Sequence, residues 1–155
     1  MQKQIDLALK VRQDIDSLHR AINQIRALRT NLNTLQQWVG DGAANQGVIQ
    51  AAKSLDQKMS PVEAQLMQVK MKSSEGNLRY PNMLNEQYAT FNNIVQGVDG
   101  APTQQQLLVF DELHGRLTTL LAAWQEVIRT EIPALNEQMR KHGVPNITVA
   151  SGEAE

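Results

Sequence analysis

Five apolar residues stand seven apart in the first quarter of this chain, Val11, Leu18, Ile25, Leu32 and Val39, with Ile15, Ile22, Leu28 and Leu35 beside them. Seven residues fall just short of two helical turns, so the step drifts little around an α-helix and lines these side chains into one stripe. A rod with one apolar stripe must lay it against other helices. The pattern therefore predicts an all-α bundle whose first helix spans about residues 2–39.

Composition narrows what such a bundle can do. At 155 residues the chain has the size of one domain with its own core. Its aromatic residues are Trp38, Tyr80, Tyr88, Phe91, Phe110 and Trp124, so aliphatic side chains must supply most of that core. The formal charge is −1 with both signs interspersed, which leaves no basic stripe for phosphates and argues against nucleic acid. Cysteine is absent, removing thiol catalysis, thiolate metal sites and disulfides, but not fixing a compartment. No apolar run approaches the roughly 20 residues of a membrane span. The opening residues Met1 to Asp6 contain no apolar stretch of the kind a secretory leader needs.

Punctuation divides the rest into further helices. Gly40 and Gly42 end the first, and the short polar segment to Gly47 predicts a second helix folding back antiparallel over about residues 48–72. Ile49, Ala52, Leu55, Met59, Val62, Leu66, Val69 and Met71 mark its expected inner side. Pro61 interrupts it: Ser60, Pro61 and Glu63 can open a new helix, or the proline can kink a continuous one. The kink is preferred because the apolar spacing stays in phase across it. Pro81 starts a short third helix, about 82–96, with Leu84, Tyr88, Phe91 and Val95 inward. Thr103 and Gln106 form a capping box for a long fourth helix, about 103–142, bent at Pro133 and stopped at Gly143 after Arg140, Lys141 and His142. The reading is an antiparallel up-down bundle of four principal helices, two long and two shorter. The longer end helices should leave a coiled-coil-like extension that pairs the Met1 end with the His142 end. Residues 144–155 are expected to form a flexible tail.

Candidate chemistry is sparse. His19, His114 and His142 are far apart in sequence, and a di-iron bundle needs two Glu-x-x-His motifs where this chain offers only Asp111 and His114. A haem held by methionine and histidine has no Cys-x-x-Cys-His attachment site, and methionine on apolar rows usually fills core. The acidic pairs Asp14/Asp16, Asp111/Glu112 and Glu126/Glu131 read as solvated helix faces with basic partners rather than as the two carboxylates of a glycosidase. The Gly40–Gly42 and Gly97–Gly100 segments end helices and do not cradle phosphate. Asn146-Ile147-Thr148 fits the N-glycosylation pattern without further support. No catalytic, metal or cofactor residue is assigned. Gly115, away from the apolar face of its helix, and Trp38, at the end of the ladder, are the candidate docking positions.

From about Ala51 to Pro145, and above all through Leu78 to Asn85 and Ala101 to Gln106 followed by Phe110 and Leu113, the chain resembles a known region. It is similar to the C-terminal helical part of large bacterial exported proteins with sortilin-like or sialidase-like β-propellers of Asp-box (BNR) repeats, usually labelled glycosyl hydrolases. The segment Lys53–Lys72 and the endings Glu131 to Ala134 and Gly143 to Pro145 fit it too. The resemblance implies a periplasmic or secreted parent, with any sugar chemistry in a propeller whose Asp-boxes have no counterpart here. The expected function is thus a non-catalytic structural or interaction module that contacts a propeller or a second copy of itself. The rival readings are an accessory part of a glycoside hydrolase, sharing a site with the propeller, and a stand-alone bundle carrying metal or haem.

Overall fold

A computed structural model describes residues 2–40, 42–70, 80–97 and 100–152. Among them are four α-helices and no strand: α1 Gln2–Val39, α2 Gln46–Leu66, α3 Leu84–Gln96 and α4 Gln104–Lys141, with a 3-10 turn at Ala43–Asn45 leading into α2. The all-α bundle of two long and two short helices is what forms. The ladder residues Val11, Leu18, Ile25 and Leu32 are all buried, as are Ile22, Leu28 and Leu35. Gly40 and Gly143 take the left-handed conformation, at φ 64° and 66°, that closes the ends of α1 and α4.

Helix α2 runs unbroken through Pro61, and α4 through Pro133. Ser60 is accordingly not an N-cap; its Oγ accepts from Arg29 Nη2 at 3.1 Å. The Thr103–Gln106 capping box closes in both directions.

The two short helices run in the same direction, one after the other. Helix α2 lies along the second half of α1, where Arg29 meets Asp56 and Glu63. Helix α3 lies along the first half, where His19 meets Asn85 and the Gln4 amide reaches the Val95 carbonyl. Each is antiparallel to both long helices, so the long helices are parallel to each other. Their register is constant: Asp14 faces His114 and Gln24 faces Trp124, one hundred residues on in each case. A cross-section therefore cuts three rods, α1, α4 and either α2 or α3.

Several expectations are corrected by this arrangement. The Met1 end does not pair with the His142 end: Gln4 Oε1 accepts from the Gly100 amide, whereas His142 meets the Ala44 carbonyl beside the α1–α2 turn. Helix α2 stops at Leu66 rather than near residue 72: Met67 is extended, and Gln68 just beyond it meets the approach to α3, its Nε2 donating to the Pro81 carbonyl at 2.9 Å. Val69 is consequently exposed instead of inward, while Met71 lies outside the described residues. Residues 144–152 are not a loose tail. They run extended along α1 and α4, with Ile147 buried and Val144 and Val149 packed on the core.

Candidate functional site

Three polar clusters interrupt the apolar interior, and each joins separate helices. In the α3 half, Asp14 of α1 is 8 % exposed. The Tyr88 hydroxyl donates to its Oδ2 at 2.7 Å, and Nδ1–H of His114 donates to the same oxygen at 2.9 Å. Burial, with the hydrogen bond to Asp14, pushes the Tyr88 hydroxyl well above the ordinary tyrosine range, so it stays protonated and remains a donor. The half-exposed His114 ring stacks on Phe110 at 5.4 Å. Helices α1, α3 and α4 are thus tied at one level.

In the α2 half, Glu63 is buried and takes a charge-assisted bond from Arg29 Nη1. Arg29 Nε donates to Asp56 at 3.3 Å. Burial works against the guanidinium charge, but the two carboxylates outweigh it and raise the Arg29 pKa above its usual value. On the far side of α2, buried Glu131 accepts from Lys58 and from the Ser54 hydroxyl, the latter at 2.9 Å. The Lys58 bond leads in holding the Glu131 carboxyl below the ordinary glutamate value, against the opposing effect of burial.

These clusters revise the reading of the acidic pairs. Glu126 is a solvated residue paired with Arg129 on its own helix, but Asp14 and Glu131 are buried, and convergent polar groups do lie between the apolar faces. A signal for them existed. Asp14 falls three residues after Val11 and four before Leu18, on the ladder itself, and Glu131 falls midway between Val127 and Leu135. A carboxylate in phase with a buried stripe needs partners from other helices, and sequence alone does not say which.

The clusters are closed on themselves. Among the described residues no buried side-chain nitrogen or oxygen lacks a hydrogen-bond partner, and no group of three His, Asp or Glu side chains is placed to hold a metal ion. His19 bonds to Asn85 Oδ1 at 2.9 Å and so ties α1 to α3. His142 sits between the Gln138 and Ala44 carbonyls. Asp111 and His114 do not act together, since His114 turns to Asp14.

The two docking positions lie on the surface. Trp38 is 80 % exposed and borders a shallow depression with Val39, Asn45, His142 and Val144. A Cβ added at Gly115 would meet nothing within 4 Å, so no neighbour in this chain requires glycine there. The sequence did not single out the apolar surface of the α3 half. Leu108 is 61 % exposed and Leu9 51 %, and Ile5, Ile94, Leu107 and Val109 are also exposed. Ile94 and Val109 line a groove between α3 and α4 floored by Phe91 and Leu113. No helix of the described residues is long and apolar enough to cross a membrane. Comparison with protein-family models, with curated proteins and with solved structures finds no match.

Proposed function

We propose that this chain is a non-catalytic helical interaction module that docks on the propeller of an exported, glycosyl hydrolase-like parent protein. The observation that supports it is the number of exposed large apolar side chains in the α3 half, among them the Ile94–Val109 groove, on a bundle whose described buried polar groups are already paired internally. The groove where exposed Ile94 and Val109 flank buried Phe91 and Leu113 is the kind of apolar surface that marks a protein contact. The propeller as partner rests on the motif resemblance at Leu78 to Asn85 and Ala101 to Gln106. Trp38 and Gly115 are secondary docking positions, each with open space around it.

The experiment has two stages. The gene region encoding this chain is read upstream for Asp-box strands and a leader, and the propeller found there is titrated with the helical chain by calorimetry. Saturable binding that weakens at least tenfold in an Ile94→Ser/Leu108→Gln variant of unchanged helicity is the expected result. Absence of a propeller, or binding indifferent to those changes and to Trp38→Ala, removes the reading.

A further inference from the structure

The groove between the parallel helices α1 and α4 already holds an extended segment, and it does so largely through main-chain atoms. The side-chain amide of Asn136 donates to the Ile147 carbonyl at 2.9 Å and accepts from the Ile147 N–H at 2.7 Å, as a neighbouring strand would. Further along, Gln24 Nε2 donates to the Ala150 carbonyl at 3.0 Å, while Gln24 Oε1 is held in place by the Trp124 indole N–H. Inward and outward residues alternate: Ile147 is buried and Val149 packs on the core, whereas Asn146, Thr148 and Ala150 face solvent. At Gly152, with φ 70°, the backbone presses so closely on α1 that an added Cβ would stand 2.6 Å from the Arg20 carbonyl oxygen. Backbone pairing with alternate apolar side chains is how a sheet edge captures an extended peptide. Here two helices provide the edge.

These anchors all belong to α1 and α4. The connection to the segment is the turn at Gly143, which reverses the chain at a φ that side chain-bearing residues rarely adopt. A second copy of the chain therefore offers the same seat to the same residues. We propose that the α1–α4 groove is an acceptor site for an extended segment, filled in one copy by its own residues 144–152 and, in a strap-exchanged pair, by those residues of a second copy. The tether keeps the strap at a high effective concentration at home, so the closed form prevails in dilute solution. Concentration, or a hinge residue that resists the reversal, moves the strap across. The inference does not depend on a propeller partner.

The absence of cysteine makes a clean test on the full chain. A Gln24→Cys/Ala150→Cys variant treated in dilute solution with a short bismaleimide is expected to link internally, reporting the seat within one copy. Tagged Gln24→Cys and untagged Ala150→Cys chains are then mixed at high concentration, cycled through mild urea and linked. A cross-linked pair of about twice 17.3 kDa is expected several-fold above a Gln65→Cys plus Ala150→Cys control, and it should increase further when both chains carry Gly143→Val. A synthetic peptide of residues 144–152 should suppress it, which keeps the test decisive if Gly143→Val does not fold. No internal link, a mixed pair no more abundant than the control, or a pair indifferent to the peptide overturns the proposal.

Discussion

The same two long helices pass through both halves of this molecule, yet the halves are built differently. Around the second half of α1, α2 covers one side of the α1–α4 pair and the extended segment 144–152 covers another. It holds ion pairs that cross between helices, Arg29 with Glu63 and Lys58 with Glu131. Around the first half, the shorter α3 covers one side, fixed by the Asp14–Tyr88–His114 cluster, and Ile5, Leu9, Ile94, Leu107, Leu108 and Val109 stay on the surface. The half covered on two sides and the half covered on one thus differ in how much apolar surface they leave in water. The paired charges lead us to expect more of the stability from the α2 half, and the docking proposed above would fall to the α3 half.

Substitutions can break that contrast or sharpen it. The largest effect is expected in the α2 half, where Arg29→Met strands buried Glu63 without its cation and should cost about 2–4 kcal/mol in urea unfolding. Arg29→Met/Glu63→Leu should recover much of that loss; if it does not, the pair is more than a neutralised charge. In the α3 half, Tyr88→Phe removes one neutral donor from Asp14 while His114 remains, and about 1–2 kcal/mol is expected by the same measurement. A larger loss for Tyr88→Phe than for Arg29→Met would reverse the assignment of stability between the halves.

A pH series tests the Glu131 pair. Its carboxyl titrates below the ordinary value of 4.5 in the folded chain. The folded state therefore binds that proton less readily than the unfolded state, and the stabilisation is present above that value and is lost as pH falls through the lower folded pKa. Lys58→Met should be less stable than the parent at pH 7 and approach it at low pH, read as urea midpoints across the range. A gap constant with pH would assign the effect to packing of the lysine stem.

The smallest effects are expected on the surface. Leu108→Gln should leave unfolding within about 0.5 kcal/mol while raising the concentration at which the protein self-associates, read by light scattering. Gly115→Ala meets open space in mid-helix and should stabilise the chain by about 0.5–1 kcal/mol. If Gly115→Ala also abolishes propeller binding, that position is a close-approach site after all.

What the sequence discloses is local. The α1 ladder, the caps at Gly40, Thr103 and Gly143 and the continuity across Pro61 follow from periodicity and from turn chemistry within a few residues, and they stand in the structure. The direction of α4 relative to α1 does not follow from such signals. It depends on α3 running in the same direction as α2, which no periodicity encodes. The end of α2 is hidden too, since it falls at Met67, where neither a glycine nor a proline marks it. The polar clusters are half legible: the phase of Asp14 with Val11 and Leu18 marks burial, but Tyr88 and His114 become its partners only once the register of three helices is set. The alternation Ile147, Thr148, Val149 carries a strand-like rhythm, and its seat on helices has no counterpart in local pattern.

Because α1 and α4 start at the same end, the molecule is electrically polarised along its length. Each helix start carries roughly half a positive charge and each finish half a negative one. At the junction of the short helices the finish of α2 and the start of α3 cancel. The Gln2/Gln104 end keeps two starts against the finish of α3, and the Val39/Lys141 end keeps two finishes against the start of α2. A surplus of about half a charge of each sign is thus held some 57 Å apart by helices rising about 1.5 Å per residue. Arg140 and Lys141 stand at the negative pole, where their side-chain charges offset the surplus of the two helix finishes.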